Sequence, residues 1–208
     1  MKARALLLAS GGLDSTTVAY RLHEAGVNFA PIFFDYGQHC VETEWDTLRR
    51  VLPPTAVAPE RLNVSDIFRG SRSRLINEAD PWTEAVADDD LYLPYRTLLF
   101  FALAAARAQT VEATEVYSGF INSNHAKEID CSAAFLNSLD ALAANVGPVR
   151  FLMPFREWSK AEVIAEAIRL RVPIPFTFSC QLMSDIPCGA CPNCVERLNA
   201  MNVVRAAT

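Results

Sequence analysis

Two hydrophobic periods succeed one another along the chain, and their alternation predicts an α/β fold. "ARALLLA", residues 3–9, is an almost unbroken apolar run, as expected of a central strand covered on both faces. "SGGLDSTTVAYRLHEAG" then supplies a glycine-rich turn and a helix, with Val18, Ala19, Leu22 and Ala25 expected to face the sheet and Gly26 to end it. "VNFAPIFFDYG" reads as the next strand and returns to polarity at Asp35, and "VETEWDTLRRVL" as a helix stopped by Pro53 and Pro54. A third strand falls within residues 55–64. Residues 66–90 carry many charges and little periodicity, which predicts a long loop with short helical pieces and the character of a mobile cover. Beyond it, "RTLLFFALAAARAQ" predicts a mostly buried helix, "TEVYSGF" a strand, "CSAAFLNSLDALAANVG" a helix and "VRFLMPF" an extended segment. "SKAEVIAEAIRLR" and "CVERLNAMNVVRA" predict the last two helices. The expectation is one domain over residues 1–208, with a mostly parallel central sheet and a cysteine-bearing helical region at 177–208.

Composition narrows the partners. The chain has 208 residues, 51% of them hydrophobic, so disorder is not expected. A formal charge of −5 argues against a general nucleic-acid binder, which needs a basic field, but not against a small anion held by local backbone donors. "MKARALLLAS" superficially resembles a secretion signal, yet its apolar run is short and a buried strand is the better reading; "LLFFALAAA" is too short to span a bilayer. No direct nucleic-acid or membrane partner is expected, and the location is read as cytoplasmic.

A reducing compartment changes the meaning of the cysteines. Cys180, Cys188, Cys191 and Cys194 are spaced so that four sulfurs can converge, with Pro187 and Gly189 suited to the turn between them. Zn²⁺ takes four thiolates tetrahedrally without redox demand, and four protein ligands leave no open position, so a structural zinc is the first reading. An iron–sulfur cluster uses the same ligands, and a redox pair or ordinary buried thiols also fit the spacing. Cys40 and Cys131 stand outside this set.

Ser10, Gly11, Gly12, Asp14 and Ser15 lie where the first strand passes into the first helix, the end of a parallel sheet at which ligands bind. Glycines allow close backbone approach and the helix start presents unpaired N–H groups to an anion. The Walker A and dinucleotide-binding patterns are both absent. "SGGLDS" resembles the pyrophosphate loop of the N-type ATP pyrophosphatases. Together with "FFDYGQ", "YLPYRT", "IDCSAAF", "WSKAEVI" and "TFSC…CGACPNCVER", in the same order over most of the chain, it resembles the QueC family of 7-cyano-7-deazaguanine synthases.

That resemblance implies an adenine-nucleotide α-hydrolase-like fold and a homodimer. It implies ATP-dependent conversion of 7-carboxy-7-deazaguanine and ammonia into a nitrile, through adenylation with the help of Mg²⁺. Carried over position by position, it makes Ser10, Gly11, Gly12, Leu13, Asp14 and Ser15 the ATP contacts, and Arg96 and Lys160 the catalytic cations. Asp35, Tyr36, Gln38, Asn124, Asp130 and Cys131 become the acceptor site, and the four clustered cysteines the zinc ligands. Asp14 is read either as a Mg²⁺ partner or as a helix cap, and Lys160 and Arg96 either as phosphate partners or as solvated surface charges. The chain departs from the family pattern at His39, Cys40, Tyr95, Thr97, Asn124 and Ser132. These departures leave two other functions open: a QueC-like ligase or amide-forming enzyme joining a deazaguanine-related carboxylate to a different nucleophile, even a protein substrate in an antiphage system, and a nucleotide-binding structural or regulatory protein.

Overall fold

Side-chain alternation along the strands divides the apolar residues between two cores. In the computed structural model, which describes residues 4–54, 56–80, 83–84, 86–121 and 132–207, strand β1 (Ala5–Leu8) is buried throughout. Ala5, Leu7 and Ala9 enter one core with Phe29 and Phe33 of β2 (Phe29–Asp35), whereas Leu6 and Leu8 enter the other with Ile32 and Phe34. Period-two geometry on a strand covered from both sides produces this division and explains the uninterrupted apolar run.

The five strands are all parallel in the order β3-β2-β1-β4-β5, with β3 at Glu60–Asn63, β4 at Glu115–Tyr117 and β5 at Arg150–Leu152. Helices α1 (Leu13–Glu24), α2 (Val41–Val51) and α5 (Lys160–Arg169) supply Val18, Leu22, Leu48 and Val163 to the first core. Helices α3 (Arg96–Thr110) and α4 (Ala133–Val146) supply Phe101, Ala104, Ala108 and Leu139 to the second. The result is a sheet between two helical layers. α6 (Pro192–Ala206) lies outside α5, where Ala200 joins Ile164, Ala167 and Leu13 in a smaller cluster.

The expected elements are present, with differences of burial. Ala25 caps α1 at its C-terminus and is exposed rather than facing the sheet. α3 buries only the stripe Thr97, Phe101, Ala104 and Ala108, so it is an amphipathic surface helix and not a mostly buried one. Its outward alanines raise apparent hydrophobicity while serving as strong helix formers. The charged interval 66–90 holds two 3₁₀ turns, at Ser65–Phe68 and Asp88–Leu91, among irregular backbone. Among the described residues no helix is long and apolar enough to cross a membrane.

Candidate active site

The chain leaves β1 for β2 and β3 on one side and returns to β4 on the other, so the sheet changes direction between β1 and β4. At this point the loops diverge and leave a crevice beyond the strand ends. The turn Ser10–Gly11–Gly12 fills the β1 end. Gly11 has φ of +76°, and a Cβ there would lie 2.8 Å from Leu48 N and 2.9 Å from Glu44 O, so the turn is set directly against α2. Across the crevice, a Cβ on Gly119 would lie 2.6 Å from Ser15 N, which brings the loop after β4 flush against the first turn of α1. Only glycine permits both approaches.

Gly12 is the N-cap of α1 and provides no side-chain cap, leaving the helix start open to a ligand. Ser10 Oγ accepts from Gly12 N at 3.3 Å and Ser15 Oγ donates to Gly12 O at 3.3 Å, so the hydroxyls shape the turn. Ser15 is buried in the first helical turn rather than lying in an open polar loop. Leu13 also departs from the expected picture: its side chain is buried with Ile164 and Ala200, so only its backbone is available to a nucleotide.

Two cations from distant parts of the sequence reach this turn. Lys160, the first residue of α5, places Nζ 2.9 and 2.7 Å from the two carboxylate oxygens of Asp14. Ser159 caps that helix by accepting from Glu162 N, and Gly12 is the N-cap of α1, so neither Lys160 nor Asp14 stands at a cap and the two form a largely buried ion pair beside the turn. The second cation, Arg197 of α6, closes the "CGACPNCVER" stretch, in which only the cysteines were given a role from the sequence. Its guanidinium donates to the carbonyls of Ile174 at 2.7 Å and Thr177 at 3.1 Å, and to Ser179 Oγ at 3.3 Å. Burial pulls its pKa down, outweighing the upward pull of Cys194 and Asp14. Its acceptor Ser179 Oγ would lie 4.0 Å from a Cβ on Gly12, which brings the guanidinium to the side of the turn. The signal available was an arginine three residues beyond the last clustered cysteine, one helical turn away.

Residues 177–180 join this cation to the cysteine cluster. Phe178 N donates to Gly11 O at 3.1 Å, and two residues later Cys180 begins the cysteine set. The sulfurs of Cys180, Cys188, Cys191 and Cys194 all lie within 4.8 Å of one another. A tetrahedral site with metal–sulfur bonds of about 2.3 Å needs sulfurs roughly 3.8 Å apart, so this donor set fits one four-coordinate ion. Met183 N and Cys188 N donate to Cys180 Sγ, and Ala190 N and Cys191 N to Cys188 Sγ, the N–H···S pattern that stabilises thiolate ligands. Thiol donors Cys191 and Cys194 also hold Cys180 well below the ordinary thiol range.

The expected acceptor residues are placed less favourably. Asp35 is tied to Arg61 at 2.8 and 3.2 Å and accepts from Gly37 N. Gln38 is 2% exposed, accepts from Tyr36 N and donates to Phe34 O and Glu44 Oε2, so its amide is consumed inside the fold instead of facing a substrate. Tyr36 is buried against Phe68 and Phe100, with the Arg96 guanidinium 5.7 Å above its ring. These three residues form the wall of the crevice because the polar end of β2 must satisfy its own backbone. Asn124, Asp130 and Cys131 lie outside the described residues. Glu44, unmarked in the sequence, stands beside Gln38 and Cys40, and burial pushes its carboxyl up to about 7. His39 carries the wall across to the cysteine region, with its ring 2.8 Å from Ser184 Oγ and 3.1 Å from Gln181 O.

A family model described as queuosine biosynthesis protein QueC matches residues 4–205. The chain is 27% identical to the 7-cyano-7-deazaguanine synthase of Sulfurimonas denitrificans, over 98% of this chain and 94% of that protein. It is 28% identical to the synthase of that name from Campylobacter concisus, over 98% and 96%. Among solved structures, a 4-thiouridine synthetase in complex with RNA and bound ATP superimposes with a TM-score of 0.53 at 18% identity, over 98% of this chain and 52% of that one. The chain thus spans about half of that larger protein, and the likeness is one of fold.

Proposed function

The chain belongs to the QueC family, and we propose that it is an ATP-dependent enzyme converting 7-carboxy-7-deazaguanine and ammonia into 7-cyano-7-deazaguanine, working as one domain in the cytoplasm and as a homodimer. The observation that carries this reading is the open start of α1, set at the change of direction in the sheet with the Lys160–Asp14 pair beside it and Arg197 reaching it through Ser179. Backbone N–H groups from Gly12 to Ser15 receive the ATP phosphates. Lys160 moves from Asp14 to the phosphate oxygens as the nucleotide enters, and Arg197 adds a second positive charge near the same place. Arg96, at the start of α3, supplies a third from the wall opposite. Their sum favours the transition state in which charge accumulates on departing pyrophosphate.

In this reading a carboxylate oxygen of the acceptor attacks the α-phosphorus and pyrophosphate leaves. Ammonia attacks the acyl carbon, and AMP departs with that oxygen to leave an amide. The amide oxygen attacks the α-phosphorus of a second ATP in the same way, and loss of AMP together with both nitrogen protons gives the nitrile. Asp14 is the carboxylate that would hold Mg²⁺, an ion content with one carboxylate and several phosphate oxygens, which would neutralise phosphate charge. Zn²⁺ fits the four cysteines, whose closed tetrahedral set gives it a structural role. Acceptor selection falls to the segment containing Asn124, Asp130 and Cys131.

The test is product identification. The purified chain incubated with ATP, Mg²⁺, ammonium and 7-carboxy-7-deazaguanine is expected to form the nitrile, detected by mass. Accumulation of amide without nitrile identifies an amide-forming ligase instead, and recovery of unchanged carboxylate contradicts the reading.

A further inference from the structure

Tyr95 is held in a backbone conformation that its place in the fold does not explain. Three described non-glycine residues have positive φ: Tyr95 at 62°, Glu112 at 60° and Arg171 at 58°. Glu112 and Arg171 follow the C-terminal caps of α3 and α5, and each returns its N–H to a carbonyl of the helix it leaves, the ordinary use of left-handed backbone at a helix end. Tyr95 instead occupies the N-cap of α3, where extended backbone and a short polar side chain are favoured, and it makes no side-chain cap. A bulky residue with positive φ is a true outlier, and such strain concentrates where a ligand is clamped.

The surroundings place this turn at the crevice. Leu93 is buried in the cluster that contains Tyr36, Phe178 and Cys180. Arg96 lies over the Tyr36 ring, and Phe178 N holds Gly11 of the anion-binding turn. Between these anchored neighbours, Tyr95 is 76% exposed, so packing among the described residues does not account for an aromatic ring at this position.

We propose that Tyr95 is a specificity residue whose ring stacks on a planar heteroaromatic ligand bound at the mouth of the crevice. Resting on the function proposed above, two such rings are candidates, the deazaguanine acceptor and the adenine of ATP. Both have the flat face that an exposed phenol ring packs against.

The experiment compares the unaltered protein with Tyr95→Gly and Tyr95→Phe, titrating a non-hydrolysable ATP analogue and, in its presence, 7-carboxy-7-deazaguanine. Loss of a stacking contact is expected to weaken one of the two about three- to tenfold in Tyr95→Gly, and the titration affected tells which ring stacks. Tyr95→Phe, which keeps the ring, should bind like the unaltered chain. Glycine adopts the left-handed backbone without strain, so melting of Tyr95→Gly should rise by about 2–4 °C as affinity falls, a combination that a merely structural residue would not give. Unchanged affinity for both compounds overturns the proposal and leaves the function intact, as does a fall in melting temperature in place of the rise. An unaltered protein that binds neither compound overturns the functional reading and this inference with it.

Discussion

Glu44 shows how a single side chain at this site responds to its surroundings. Its carboxyl stands between the Gln38 amide, 2.9 Å away, and the Cys40 thiol, while its own carbonyl oxygen backs Gly11. Desolvation raises its pKa to about 7 from about 4.5, outweighing those two donors and the more distant Arg96. The folded protein therefore holds a proton between these values that the unfolded chain has released. The stability this group contributes is full below about pH 4.5 and is lost as pH rises towards 7, then stays constant. Relative to Glu44→Gln, which cannot titrate, the unaltered protein is expected to lose on the order of 3 kcal/mol across that interval. Urea unfolding of both proteins at a series of pH values checks this; parallel profiles would contradict it. Neither Glu44 nor Gln38 was legible as a wall residue, because "DYGQ" looks the same whether its amide faces a ligand or satisfies the end of its own strand. At Leu13 the motif could not tell side chain from backbone, since it names consecutive residues while the helix turns this side chain into the core.

At the scale of elements, the cysteine cluster is joined to the glycine turn at the start of α1 by one short segment. Residues 177–180 run from the Arg197 guanidinium past Gly11 to Cys180, and His39 ties the end of β2 to Gln181 and Ser184. A metal held by the four sulfurs would fix one end of that segment, and the hydrogen bond from Phe178 to Gly11 fixes its middle. Replacement of Cys188 by serine is expected to lower bound zinc and the melting temperature together, and to raise the KM for ATP several-fold in whatever protein remains folded. Metal analysis and steady-state kinetics on the same preparation test this. Full zinc content in the variant, or zinc loss with an unchanged KM, would break the connection. The convergence of the cysteines was plain in the sequence, because four of them within fifteen residues around Pro187 and Gly189 can hardly lie apart. Their connection to Gly11 was not, since it depends on a backbone contact between residues far apart in the chain and on Arg197, which stands in the same motif as the cysteines but whose partners only the fold reveals.

For the whole molecule, the fold was the more legible half. Strands buried on both faces yield unbroken apolar runs, as in β1 and β2, and the helices between them show a stripe of period 3.6. Where the pattern misled, as along α3, alanine counts as apolar although Ala102 and Ala106 face outward. The glycine turn and helix start proposed to receive the phosphates were legible as structure because both are local features. The acceptor side was not, because its expected residues either wall the crevice or lie outside the described residues. The central claim is therefore about how the acceptor is activated, and isotope transfer tests it most directly. With 7-carboxy-7-deazaguanine carrying ¹⁸O in both carboxylate positions, mass analysis of the nucleotide products follows each oxygen. Activation by adenylation predicts AMP bearing one labelled oxygen for every oxygen lost, so that each nitrile formed is accompanied by two labelled AMP molecules. Label in inorganic phosphate alongside ADP, or unlabelled AMP with the nitrile formed, would contradict the account.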